Sequence, residues 1–238
     1  MSLIEIIKNS IKYPLNDYTK FLIVGIISLI AGLTIVLPQF QVTDTIILSI
    51  AGIISLIFAL ILGGYSLDVI KKGIEDSDEI PDFNIVENIV NGIKSVIVSI
   101  VYLIIPTIIL IALAVVTGAI GASLDNILAS LGILAIVAII IYILFGILEI
   151  VGLARLAKTG SISEALSFGE VFADAKSIGI INIIAFIILV AIIIFIIALI
   201  GGIISLIPYI GFIIATILVG GFSVLFYGKA LGLLYSQV

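Results

Sequence analysis

Six stretches of the 238-residue chain are apolar almost without interruption: Phe21–Leu37, Ile46–Leu67, Val96–Val116, Leu128–Leu153, Ile178–Ile200 and Tyr209–Tyr227. A helix needs about 20 such residues to cross a hydrocarbon core of roughly 30 Å, so each stretch predicts a transmembrane helix, the first being short. Polar or helix-breaking residues mark the breaks. Pro38-Gln39-Phe40-Gln41 closes the first span, Thr117-Gly118 through Asp125-Asn126 parts the third from the fourth, and Gly201-Gly202 with Pro208 parts the fifth from the sixth. Lipid cannot satisfy free backbone groups, which requires helices here. The two-residue alternation of a membrane barrel is absent.

The linkers carry a different pattern. In Phe83–Val96, Ile85, Val86, Ile89, Val90 and Ile93 form one helical stripe, with Asn84, Glu87, Asn88, Asn91 and Lys94 opposite. In Phe168–Lys176, Phe168, Val171, Phe172 and Ala175 fall at the same i, i+3, i+4, i+7 spacing. Leu3, Ile4, Ile7 and Ile11 give a rougher version, and Ser161-Ile162-Ser163-Glu164 reads as a capping box that starts a short helix. These segments predict helices roughly parallel to the membrane. They either sense lipid or a partner, or serve as cuffs that join hairpins and pack on the bundle.

Spans and linkers together form one unit repeated three times, over residues 1–73, 83–160 and 168–238 of a single 1–238 membrane domain. Lys20, Lys94 and Lys176 each lead into a two-span hairpin. The hairpins end in Gly64 with Lys71, Gly152 with Lys158, and Gly221 with Lys229. The expected fold is therefore all-α: a polytopic bundle of six transmembrane helices, arranged as three hairpin repeats joined by short amphipathic cytoplasmic helices.

Charge placement orients it. All ten Lys and Arg fall on the side of the N-terminus in the six-span arrangement, and the three opposite loops hold none. The positive-inside rule then puts both termini in the cytoplasm of a multi-pass cell-membrane protein. Of the acids only Asp44 and Asp125 lie outside, so any polar interaction surface is expected on the cytoplasmic face. Composition agrees: 63% of residues are apolar and 11% charged, against about 45–50% and roughly 25% in soluble domains.

The chemistry available is narrow. The chain has no Cys and no His, which removes thiolate nucleophiles, disulfides, and the commonest general base and metal ligands. No phosphate-binding glycine loop or nucleophile elbow is present, and no cationic patch is dense enough for nucleic acid. No catalytic residue, cofactor or metal is expected. The expected partners are membrane lipids and a protein at the cytoplasmic face.

Three polar residues in or beside the spans are candidates. Glu149 lies six residues before Arg155, roughly 9 Å deeper and roughly 240° around the helix. Gly146 and Gly152 share its face, which predicts a helix contact that turns Glu149 inward. An intramembrane acid is a functional candidate by default, with a structural hydrogen bond as the alternative. Asp68 has Lys71 and Lys72 at i+3 and i+4, the spacing of a local ion pair. Asn182, early in the fifth span, is placed to hydrogen-bond between helices. Gly228 and Gly232 make a GxxxG match at the membrane edge. The acidic run Glu75-Asp76-Ser77-Asp78-Glu79 fits a calcium loop counted from Asp76 at its first, third and twelfth positions. It fails at Ile80 and at Pro81, where glycine is required. It reads better as a solvated loop.

The stretch from Gly63-Gly64-Tyr65 through Lys71, the acidic run and Ile80-Pro81-Asp82-Phe83 into the third span resembles the uncharacterised membrane family known as domain of unknown function 4013, found largely in archaea, including methanogens, and in some bacteria. Tyr13-Pro14 and the first span fit it too, so the resemblance covers most of the chain. It implies a multi-span membrane protein and supplies no activity and no functional residues. The functional expectation is a non-enzymatic membrane protein that organises lipid or a partner through its cytoplasmic helices. The alternative is a transporter or channel for a hydrophobic or lipid-like substrate.

Overall fold

The computed structural model of the chain describes residues 1–117, 124–208 and 210–238, with side chains for all of these but 124–133. Among the described residues every regular element is a helix. In order they are α1 (Leu3–Lys12) with a 3₁₀ turn (Tyr13–Leu15), α2 (Tyr18–Ala31), α3 (Leu33–Gln39), α4 (Thr45–Ile74) and α5 (Ile85–Val116). They continue as α6 (Leu124–Thr159), α7 (Ile162–Ala165), α8 (Phe168–Ile178), α9 (Ile180–Ile204) and α10 (Gly211–Tyr235). The expected break at 118–123, the side chain of Asp125 and Tyr209, the first residue of the sixth expected span, lie outside the described residues.

Among the described residues five helices are long and apolar enough to cross a membrane: α4, α5, the 134–159 part of α6, α9 and α10. The count reaches six if α1 with its turn and α2, which meet at 89°, form one broken span. The first expected span, Phe21–Leu37, is not one helix. It divides at Gly32, whose backbone (φ −96°, ψ 12°) leaves the helical region between α2 and α3. Glycine weakens a helix interior by about 1 kcal/mol relative to alanine. α3 is a seven-residue helix with Pro38 inside it.

The remaining helices outrun their apolar windows. α4 continues past Leu67 to Ile74 and α10 past Tyr227 to Tyr235. α9 runs through Gly201-Gly202, so that pair is not a break. A Cβ on Gly201 would lie 2.5 Å from the Val219 side chain, so the glycine lets α9 approach α10.

Phe83–Val96 also departs from expectation. Residues from Ile85 onward are the first turns of α5 itself, with Asn84 as N-cap, not a separate helix. Its polarity is inside out. Asn88 and Gly92 are buried against α4, while Ile85, Val86, Val90 and Ile93 are exposed. An apolar outer stripe is what lipid demands of a membrane helix. The other two linkers do contain separate helices, α1 and α8.

Glycines set the close crossings. Gly64 abuts the Asn88 backbone and Gly92 the Leu60 backbone, locking α4 to α5. Gly25 and Gly221 do the same for α2 and α10. The Gly228/Gly232 pair, on its face a chance match, packs α10 on α4: a Cβ on Gly232 would lie 2.6 Å from the Gly73 Cα. Small residues at helix contacts are how association proceeds where lipid removes the hydrophobic driving force.

Candidate functional site

Polar structure concentrates at the end of the bundle that holds the termini, where Gln237 Nε2 reaches the Met1 carbonyl at 3.5 Å. The acidic segment is the centre of it. At the end of α4 the Asp76 N–H bonds the Gly73 carbonyl and the Ser77 N–H the Lys72 carbonyl, with Asp76 in the left-handed region at φ 52°. That is a Schellman turn with aspartate where glycine is usual. It throws the chain back across the bundle as an extended strap.

Five consecutive carbonyls of the strap each receive a side-chain donor from elsewhere. Lys229 Nζ donates to Ser77 O (2.8 Å), Asn16 Nδ2 to Asp78 O (3.1 Å) and Tyr13 Oη to Glu79 O (2.8 Å). Lys20 Nζ donates to Ile80 O (2.6 Å) and Tyr65 Oη to Pro81 O (3.0 Å). Ile80 and Pro81 are buried, and Phe83 stacks on Tyr65 with centroids 3.9 Å apart. Buried backbone carbonyls must find donors, and here side chains supply them in place of a sheet.

The strap's carboxylates point outward. Asp78 and Asp82 are almost fully exposed, yet Asp82 pairs with Lys20 at 2.8 Å and Glu79 with Lys72 at 2.9 Å. The hydrogen bond from Lys20 holds the Asp82 carboxyl below its ordinary value. Lys229 is only 1% exposed and lies 5.4 Å from the centre of the Tyr13 ring. Its charge is met by Asp76 at 3.8 Å and Asp78 at 3.6 Å. Burial, and then the nearby Asp78 and Glu79, push the Tyr13 phenol above its ordinary value, so it stays a neutral donor. Among the described residues no group of three or more acidic side chains is placed to hold a metal ion.

A second cluster joins α6, α7, α8 and α10. Arg155 donates to Glu164 Oε2 through Nη2 (2.7 Å) and Nε (3.2 Å), and to Asp174 Oδ2 through Nη1 (2.8 Å). Glu170 lies 3.8 Å away. Tyr235 Oη donates to the same Asp174 oxygen at 2.6 Å, and Lys158 sits 5.3 Å from the Tyr235 ring centre. The Ser161 side chain does accept from the Glu164 N–H and start α7. The Glu164 carboxylate goes to Arg155 instead of completing the box.

The sequence candidates fare differently. Asp68 does not pair with its helix neighbours. Its Oδ2 accepts from Asn88 Nδ2 at 2.6 Å, Asn88 being fully buried on α5, and Lys72 turns to Glu79. The α4–α5 approach at Gly64 brings Asn88 nearer than either lysine. Asp68 also lines a polar cavity of about 230 Å³ between α4, α5 and α6.

Glu149 is half-buried, and its glycine neighbours are unlike. Gly152 meets the Tyr102 ring and the Ala165 carbonyl, whereas Gly146 has nothing within 4 Å of the place its Cβ would take. Only one half of the expected glycine contact exists. Arg155 does pair away from Glu149, with the acids above. Asn182 bonds locally and not between spans: its Nδ2 donates to the Ile178 carbonyl at 2.8 Å, joining the start of α9 to the end of α8 across the Gly179 break. Tyr142 meets Thr107 at 2.8 Å, joining α5 to α6.

A family model described as "Protein of unknown function (DUF4013)" matches residues 47–206, well over half of the chain. The chain belongs to this family. No curated protein and no solved structure matches. The part matched to DUF4013 holds the strap, Tyr65, the Asp68–Asn88 pair, Arg155 and its three acids. Tyr13, Asn16, Lys20, Lys229 and Tyr235, which close both clusters, lie outside it.

Proposed function

We propose that the protein is a non-enzymatic, multi-pass protein of the cell membrane, with six crossings and both termini in the cytoplasm, that organises lipid or a protein partner through its cytoplasmic face. One observation carries this. Apart from Asp44 at the opposite end and Glu149 within α6, the charged side chains of the described residues gather at the end holding the termini, the strap and α7–α8, while the spans expose Ile, Leu, Val and Phe. A carrier of polar solutes needs polar groups at mid-depth.

The threefold repeat is part of the same reading, and one equivalence supports it. Lys20 and Lys94 each donate to a backbone carbonyl in the linker after their own hairpins, Ile80 and Gly160 respectively. α1 and α8 fit as cuffs: α1 buries Ile6 and Ile7 while exposing Ile4, and α8 buries Val171 and Ala175.

Cysteine labelling tests the placement, and the chain's lack of Cys makes it free of background. Cysteines near Asp44 and Pro208 should react with an impermeant reagent in intact cells, and those at Ser77 and Ser163 should not. Outside labelling at Ser77 overturns orientation and span pairing together.

A second reading, transport of a hydrophobic substrate, is favoured by a cavity of about 370 Å³ among α2, α9 and α10. Its hydroxyls, Ser28, Ser205 and Thr216, all turn back to their own helices, leaving an apolar wall. Flux of a fluorescent lipid in vesicles containing the protein, absent from empty vesicles, would favour this reading over the first.

A further inference from the structure

We infer that the polar cavity between the cytoplasmic-end turns of α4, α5 and α6 binds one phospholipid headgroup, its phosphate held by Lys71, Lys94 and Lys158 and its remaining hydrogen-bond donors by Asp68 and Glu87. At about 230 Å³ the cavity lies just under the ~300–1,000 Å³ of pockets that enclose a drug-sized ligand. That suits a headgroup and not a whole lipid. All five charged residues line it. Three lysines against two carboxylates leave one excess positive charge, which a phosphodiester neutralises.

The lining side chains are held with bonding capacity to spare. Asp68 is fixed by Asn88 at Oδ2, which leaves Oδ1 to accept from a ligand hydroxyl or ammonium. Lys94 is steered by the Gly160 carbonyl at 3.1 Å and Asn91 Oδ1 at 3.4 Å, using two of its three protons. Lys71 has no hydrogen bond or ion pair among the described residues. Lys158 has no hydrogen bond or ion pair among the described residues, its ammonium lying 5.3 Å from the centre of the Tyr235 ring. Three lysines lining one cavity, with donors to spare, form an anion site of the kind found between membrane helices at the cytoplasmic side.

The surroundings decide between a lipid and a free phosphate. On α5, Glu87, Asn91 and Lys94 line the cavity, while Val86, Val90 and Ile93 beside them are exposed. Ile97 and Ile100 continue that exposed stripe deeper along the helix. A molecule with its phosphate in the cavity therefore has an apolar lane for an acyl chain alongside. A soluble phosphate has no use for it.

The inference rests on the proposed placement of this end at the headgroup layer, which the cysteine labelling tests by itself. The binding test uses the full chain in nanodiscs of phosphatidylcholine containing a minor share of phosphatidylglycerol, with retained lipid read by native mass spectrometry. Phosphatidylcholine has the phosphate but no headgroup donor; phosphatidylglycerol has both. One phosphatidylglycerol should stay bound per chain. K71Q/K94Q/K158Q should lower its retention at least tenfold, and the triple Lys→Arg variant should restore it. D68A/E87A should erase the preference for phosphatidylglycerol over phosphatidylmethanol, which carries the same net charge but no headgroup hydroxyl. K71Q alone, at an exposed residue with no partner to lose, should weaken retention several-fold without affecting folding. Equal retention of both lipids by the wild type overturns the inference, as does an equal loss from K8Q/K12Q, which removes exposed lysines of α1. Displacement of the lipid by glycerol phosphate or inorganic phosphate at matched concentration overturns the lipid assignment in favour of a free phosphate. Correct labelling with no selective retention removes the pocket and leaves the membrane placement standing.

Discussion

Asp174→Ala is the most informative single perturbation of the polar cap at the end holding the termini. Asp174 is nearly buried and accepts two charge-assisted bonds on one oxygen, from Arg155 at 2.8 Å and Tyr235 at 2.6 Å. Breaking a buried ion pair costs about 3–5 kcal/mol because the surviving charge is stranded. Arg155 is not wholly stranded, since Glu164 keeps two bonds to it, which places the expected cost near the lower end, about 3 kcal/mol. Tyr235→Phe removes one bond to a charged acceptor and should cost roughly 1.5–3 kcal/mol. The two losses share a bond. Once Asp174 is gone, the hydroxyl of Tyr235, a residue 1% exposed, loses its acceptor, and trading it for Phe should cost nothing or recover stability. A double-mutant cycle, with unfolding followed by denaturant titration in micelles, should therefore show a coupling of about 1.5–3 kcal/mol. Additive costs would refute the shared bond, and with it the idea that Tyr235 secures α10 to α8 through this carboxylate.

Three further outcomes are expected. Gly146→Ala, where a Cβ meets nothing within 4 Å, should stabilise the protein by up to about 1 kcal/mol. Gly232→Ala, aimed at Ile70 O and Gly73, should destabilise it by at least that much, as thermal unfolding of the pair would check. Tyr13→Phe and Tyr65→Phe each orphan one strap carbonyl and should cost about 1–3 kcal/mol. The readout is faster proteolysis within residues 75–82; unchanged cleavage would mean that the strap is held by its apolar residues alone. The Asp82 carboxyl is held low by Lys20, so its contribution is present above the unfolded carboxylate value near 4 and is lost as pH falls through the lower folded value. Pepsin cleavage of the strap should therefore rise on acidification below about pH 4, and in D82N that acid-side increment should be missing.

Hydropathy made the spans legible because lipid imposes the same demand on every outward residue, whatever the fold. It also made their ends illegible. Helices continue into the headgroup layer as hydrogen-bonded cylinders, so α4 runs past Leu67 and α5 begins at Ile85, with no change of structure where composition changes. The first span misled because composition alone ignores Gly32. Local reasoning likewise placed Asp68 with Lys71 and Lys72 at helical spacing. A tighter interhelix approach, permitted by Gly64, gave it Asn88 instead. The acidic run read as a solvated loop, which its carboxylates are. What was hidden is that its backbone is not solvated, since the donors come from Tyr13, Asn16, Lys20, Tyr65 and Lys229, up to 152 positions away. One signal was visible: Lys229 is an isolated cation within the glycine-spaced stretch Gly228–Gly232, where a freely exposed lysine has little reason to be.

The two clusters divide the labour of holding the bundle together, and α10 belongs to both. The strap ties the 3₁₀ turn, α2, α4 and α10, while the Arg155 cluster ties α6, α7, α8 and α10. Lys229 and Tyr235 are six residues apart on that helix, roughly 9 Å along its axis and roughly 240° around it. They therefore reach different neighbours, one toward the acidic strap and the other toward Asp174. Apolar helices in lipid gain little by choosing one apolar neighbour over another, because the tails are as apolar as leucine. Glycine contacts within the spans set how closely helices approach. Directional bonds at the end holding the termini set which helices those are. The last helix, carrying both a buried cation and a buried phenol, is held by both clusters. That explains why polar residues so sparse in the chain as a whole are gathered where water, lipid headgroups and backbone carbonyls meet.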